Sequence, residues 1–215
     1  MERTRRRKSL VFGLLLLAVG GAWILGAHFD EQLLRAFRRA DDPAVPVGPV
    51  WLHEAARDVT ALGSWPVLAL VVGAVAGYLA LQRQWRAILV LFAAVGGAFL
   101  LNLLLKGWFE RPRPDVVPAL THMGTYSFPS GHSLMSAVTY LTLGALADRF
   151  EPNPRLRTYA VSLALAITLL VGTTRVFLGA HYPTDVLAGW TVGLAWAGGW
   201  WLALTRFPQA ASADS

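Results

Sequence analysis

A histidine and an aspartate four residues apart, His181 and Asp185 in TRVFLGAHYPTD, share one face of any helix that begins between them. A carboxylate hydrogen-bonded to one imidazole nitrogen fixes the tautomer and makes the other nitrogen a stronger base or nucleophile. A second histidine, His132, follows Ser130 and Gly131 in YSFPSGHS. There Pro129 fixes the path of the chain, Ser130 is a good helix cap and Gly131 admits a close neighbour, while the free N–H groups of a helix start attract anions. His132 then stands within reach of such an anion as a proton donor or acceptor. Cations complete the set. Lys106, the only lysine besides Lys8, precedes two Arg-Pro dipeptides, Arg111-Pro112 and Arg113-Pro114, in KGWFERPRP, and Arg175 lies six residues before His181. The guanidinium fork suits phosphate, and proline stiffens the backbone that holds it. Zinc on His132, His181 and Asp185 is the alternative, but so many neighbouring cations suit an anion and not a dication.

The elements that must position these residues are apolar. Of 215 residues 55% are hydrophobic and 15% charged, far from the balance of a soluble domain. Runs at about 9–28, 65–82, 87–105, 131–147, 159–173 and 186–204 approach the roughly 20 residues that cross a bilayer. The expected fold is all-α: one integral-membrane domain over 1–215, a bundle of six transmembrane helices, with a basic flank at 1–8 and a disordered tail at about 207–215. The first run is longer than a signal-peptide core and no A-x-A site follows it, so it reads as an uncleaved anchor. Between the first two runs, EQLLRAFRRA and WLHEAARDV carry apolar residues at helical spacing and are joined by DDPAVPVGPV. They read as short amphipathic helices, on the membrane surface or packed over the bundle mouth.

With the N-terminus inside, eleven of the nineteen Lys and Arg fall on the inner side, among them Arg3, Arg5, Arg6, Arg7 and Lys8. The excess charge of +6 is therefore a cytoplasmic flank and does not point to nucleic acid. Trp51, Trp65 and Trp108 then mark the outer interface, and Trp85, Trp200 and Trp201 the inner one. Both termini are cytoplasmic, and all three polar clusters open on the outer face. The absence of cysteine excludes disulfides and thiol chemistry.

Taken in order, Lys106-x6-Arg113-Pro114, Pro129-Ser130-Gly131-His132 and Arg175-x5-His181-x3-Asp185 resemble the three-part signature of the type 2 phosphatidic acid phosphatase family, which shares its site with vanadium haloperoxidases and bacterial acid phosphatases. The resemblance implies that Lys106, Arg113 and Arg175 hold phosphate oxygens and that the backbone at Ser130 and Gly131 adds donors. It further implies that His181 attacks phosphorus, His132 protonates the leaving oxygen and Asp185 orients His181. Whether Arg111 assists Arg113 is left open, and Thr174 stands where the family usually has serine. The implied activity is a lipid phosphatase of the bacterial inner membrane with an extracytoplasmic site, working without cofactor, metal or obligate protein partner. Undecaprenyl diphosphate is the favoured substrate, with phosphatidylglycerol phosphate or phosphatidic acid as alternatives. A haloperoxidase would not be expected in a membrane bundle, and a non-enzymatic lipid transporter or binding protein would show broken spans or midplane charges that these runs largely lack.

Overall fold

The computed structural model describes residues 27–121, 124 and 126–205, and the first expected span, the basic flank and the tail lie almost wholly or wholly outside them. Within the described residues the regular structure is helical: α1 Ala27–Ala36, α2 Val50–Ala61, α3 Trp65–Leu81, α4 Trp85–Phe109, α5 Gly131–Phe150, α6 Pro154–Phe177 and α7 Pro183–Thr205. Local chemistry sets several of these boundaries. Ser130 caps α5 by accepting from the Ser133 N–H, and Asn153 caps α6 with Pro154 in its first turn, where proline's missing N–H costs nothing. At the end of α4, Glu110 turns into the left-handed region at φ 47°, and the prolines of ERPRP prevent the helix from resuming.

By length and composition α4 and α6 can each cross a membrane, and α2 with α3 passes the same test as a pair bent by 50°. Helices α5 and α7 are 20 and 23 residues long. Serine, threonine, glycine and tryptophan lower their hydropathy. For α5 the reason is position: it packs against α4, α6 and α7, and Ser133, Ser136, Thr139 and Thr142 are buried among helices. A helix sheathed by protein need not be as apolar as one facing lipid. The main core gathers Leu68, Val72, Leu91, Ala94, Leu134 and Val138 from α3, α4 and α5. Indole N–H groups find partners across the bundle, Trp190 on the Thr168 carbonyl at 3.0 Å and Trp196 on that of Ala94 at 2.8 Å.

The two short helices expected ahead of the second span are present, and they pack over the bundle mouth. Helix α1 buries Asp30 and Leu34 completely, and α2 buries Ala56 and Thr60 against α6. Their connection is pinned by Arg38, which donates to the Phe177 carbonyl at 2.9 Å and so caps the C-terminal end of α6. Trp51, Trp65, Trp85, Trp108 and Trp201 are exposed, whereas Trp200 packs against the core.

Candidate active site

The three polar clusters meet at one end of the bundle. Lys106, in the last turn of α4, is buried and its Nζ donates to the Tyr126 carbonyl. The loop that follows α4 folds back on itself through Ser127 N–H to Arg111 O at 2.8 Å, which carries the Ser127–Ser130 stretch under the start of α7. Between α6 and α7 the chain reverses at Gly179, φ 70°, where a Cβ would lie 2.6 Å from the Arg38 guanidinium and 3.2 Å from the Pro118 carbonyl. Only glycine fits that turn. The turn delivers His181, 2% exposed, with its N–H returned to the Arg175 carbonyl at 3.3 Å.

Helix α7 then begins at Pro183, between His181 and Asp185 as the spacing requires. His181 Nδ1 lies 3.4 Å from Asp185 Oδ2. Arg113 Nη1, which can only donate, approaches His181 Nε2 at 3.3 Å and also bonds the Ala180 carbonyl at 2.8 Å. If Nε2 accepts from Arg113, Nδ1 carries the proton toward Asp185, a tautomer that suits a nucleophile backed by a carboxylate. Ser127 Oγ donates to Asp185 Oδ2 and lies 3.4 Å from His181 Nδ1. The Tyr182 N–H gives Asp185 Oδ2 another donor at 2.9 Å. Burial pushes the His181 imidazole down to about 4, against the opposing pull of Asp185, so the ring is neutral at pH 7. Burial likewise lowers the Arg113 pKa, but an arginine starts so high that it keeps its charge.

Lys106, Arg113 and Arg175 converge, each near enough for the other two to act on Lys106, and all three act on His132. Three neighbouring cations repel one another until an anion sits among them. Arg175 is 3% exposed; its Nη1 reaches Thr60 Oγ1 at 3.3 Å, and its Nε is buried without a hydrogen-bond partner among the described residues. An N–H left unpaired in a buried site is costly, and a phosphate oxygen would satisfy it. Asn102, one turn before Lys106, also has an unpaired buried Oδ1 and faces Gly131.

One expectation changes and one open question is answered. The Ser130 N–H is not free for phosphate: it donates to the Asp185 carbonyl at 3.0 Å, which ties the start of α5 to the start of α7. The N–H groups left at this helix start are those of Gly131 and His132, the first two of α5, which no residue of their own helix can accept. Arg111 does not join Arg113. It turns the other way, under Tyr182 at 4.3 Å from the ring centroid, and bonds Asp185 Oδ1 at 2.6 Å and Asp30 Oδ2 at 2.8 Å. Thr174 bonds back to the Val171 carbonyl of its own helix, so its hydroxyl takes no visible part in the site. Asp30, Thr60, Ser127 and Thr184 are not among the residues expected from the sequence. Ser127 could have been, since it sits inside YSFPSGHS.

Comparisons with known proteins place the chain among relatives. Residues 85–208 match the PAP2 superfamily. Phosphatidylglycerophosphatase B of Bacillus subtilis is 38% identical over 167 residues, 77% of this chain and 78% of that protein. An undecaprenyl diphosphatase of the same organism is 32% identical over 49% of this chain and 52% of that protein. The crystal structure of a transmembrane PAP2-type phosphatidylglycerolphosphate phosphatase from Bacillus subtilis superposes with a TM-score of 0.82 at 27% identity, covering 94% of this chain and 97% of that one.

Proposed function

Given that the chain belongs to the PAP2 superfamily and is a membrane-embedded lipid phosphatase, we propose the following course and substrate for its reaction. His181 Nε2 attacks the terminal phosphorus, and the bond from phosphorus to the lipid-side oxygen breaks. His132 gives that oxygen a proton, leaving a phosphohistidine. A water molecule then loses its proton to His132 and attacks phosphorus, His181 departs, and orthophosphate is released. Lys106, Arg113, Arg175 and the N–H groups of Gly131 and His132 hold the charge that develops on the equatorial oxygens. The observation that carries this reading is the placement of the His181 ring, with Nε2 facing Arg113 and Nδ1 facing Asp185. Phosphoryl transfer asks mainly for positioning and charge neutralisation, which these groups supply without a metal.

Phosphatidylglycerol phosphate is the first substrate proposed, supported by a likeness that runs along most of both chains to a phosphatidylglycerophosphatase. Undecaprenyl diphosphate, favoured on the sequence, is second, supported by the shorter match to an undecaprenyl diphosphatase and by a cradle that reads only the terminal phosphoryl group. The chain is proposed to cross the bacterial inner membrane six times, through the 9–28 segment and α3 to α7. Both termini are then cytoplasmic, and the site opens outward. The test is phosphate release by purified protein in matched detergent, with kcat/KM measured on phosphatidylglycerol phosphate, undecaprenyl diphosphate and phosphatidic acid. Phosphatidylglycerol phosphate is expected to be the best of the three. An efficiency on it about tenfold below that on undecaprenyl diphosphate, or about 1.4 kcal/mol of transition-state stabilisation, would reverse the order. No release from any of them would overturn the proposal.

A further inference from the structure

Behind the His181–Asp185 pair lies a second carboxylate that the reaction as described does not use. Asp30, on α1, is completely buried, as is Asp185, and both contact the Arg111 side chain, which is 10% exposed. Arg111 Nη1 serves Asp185 Oδ1 at 2.6 Å and Thr184 Oγ1 at 2.7 Å, while Nη2 serves Asp30 Oδ2 at 2.8 Å. Thr184 closes the ring, its hydroxyl donating to Asp30 Oδ2 at 2.5 Å and its N–H to Asp30 Oδ1 at 2.9 Å. Both carboxylates and the Thr184 hydroxyl have partners within the ring, and Asp30 joins it although it comes from a helix far from the other members in sequence. It also lies outside the residues 85–208 that match the superfamily.

The charges show what the ring accomplishes. Asp185 must stay anionic to hold the Nδ1 proton and to stabilise the positive charge that grows on His181 as Nε2 attacks. Arg111 alone, 2.6 Å away in a buried site, would compensate that carboxylate and weaken its pull on the imidazole. Asp30 compensates Arg111 instead. The trio then carries one net negative charge, and with a cationic His181 the cluster is neutral. A buried ion pair is weak evidence of a stabilising role, since apolar packing often does as well. We propose that Asp30 is a positioning residue for catalysis, holding Arg111 so that Asp185 keeps its charge and geometry for His181. The inference rests on His181 being the nucleophile of the proposed reaction.

The test is a double-mutant cycle on phosphate release, with His181→Ala as the control on the nucleophile. Asp30→Asn keeps the shape and the acceptor for the Thr184 N–H. It is expected to lower kcat about 30-fold and leave KM and the inhibition constant of inorganic phosphate within about threefold, because the cationic cradle is untouched. In an Asp185→Asn background the same change is expected to cost less than about threefold, because the group through which it acts is already neutral. Arg111→Lys, which lacks the fork that serves the two carboxylates from separate nitrogens, should show the same loss and the same absorption by Asp185→Asn. Should Asp30→Asn fail to fold, Arg111→Lys alone decides. A kcat within threefold of wild type, or an equal loss in both backgrounds as a merely structural role would give, overturns the inference. Near-normal activity of His181→Ala would overturn the nucleophile, and this inference with it, whatever the cycle shows.

Discussion

Substituting Gly189 by alanine adds one methyl group where α7 crosses the first turn of α5. Its Cβ would lie 2.8 Å from the Ser130 carbonyl oxygen, 2.9 Å from Ser133 Cβ and 3.1 Å from the Leu134 nitrogen. Two of the three are backbone atoms and cannot swing aside, so the helices must part. Ordinary contact returns after a shift of about 0.6 Å in a core that resists compression. The same turn of α5 carries Gly131 and His132, whereas His181 and Asp185 stay with α7. The shift therefore opens the distance between phosphate cradle and nucleophile. If a misplacement of about 1 Å costs about 100-fold, 0.6 Å costs roughly 15-fold in kcat, or about 1.6 kcal/mol. Overpacking should lower stability by about 1–3 kcal/mol as well. The assay is phosphate release in detergent alongside the thermal midpoint, with Gly198→Ala as a control on the same helix, where an added Cβ meets nothing within 4 Å. A Gly189→Ala enzyme with kcat within threefold of both wild type and Gly198→Ala would refute the claim that this contact sets the active-site distance.

His181→Ala is expected to leave a folded protein with almost no phosphate release, while Asp185→Asn keeps a small residue, a loss of orders of magnitude in kcat in each case. Because burial holds His181 at about 4, kcat/KM should stay level as pH falls from 7 and drop only as the ring protonates near that value. Asp185 opposes the downward shift, so Asp185→Asn should move this acid limb to lower pH, and a limb near 6.5 in the wild type would contradict the burial argument. The sign for stability is the same. The unfolded chain binds a proton at His181 that the folded chain refuses, so stability is present above about 6.5 and falls as pH drops toward 4. Activity should survive EDTA and be inhibited by orthovanadate; loss to EDTA with recovery on magnesium or zinc would sink the metal-free mechanism.

The sequence alone determined whatever depends on composition and short spacing. Apolar runs gave the helical bundle because a chain in lipid must satisfy its backbone within helices. The interval from His181 to Asp185 showed one shared face because the helix begins between them. The order of the three polar clusters carried the family. What it left undecided involves partners distant in the chain and the direction in which a side chain leaves the loop. Arg111 and Arg113 are equivalent in ERPRP, and only the packed loop sends one to Ala180 and His181 and the other beneath Tyr182 to Asp30 and Asp185. The resemblance made the Ser130 backbone a phosphate donor, but α7 takes that N–H once the two helices meet. Asp30, 154 residues before Thr184, carries no local signal at all. Its burial and its partners exist only when α1 folds across the mouth of the bundle, and tertiary packing alone brings an acid in an amphipathic segment to the arginine that serves Asp185.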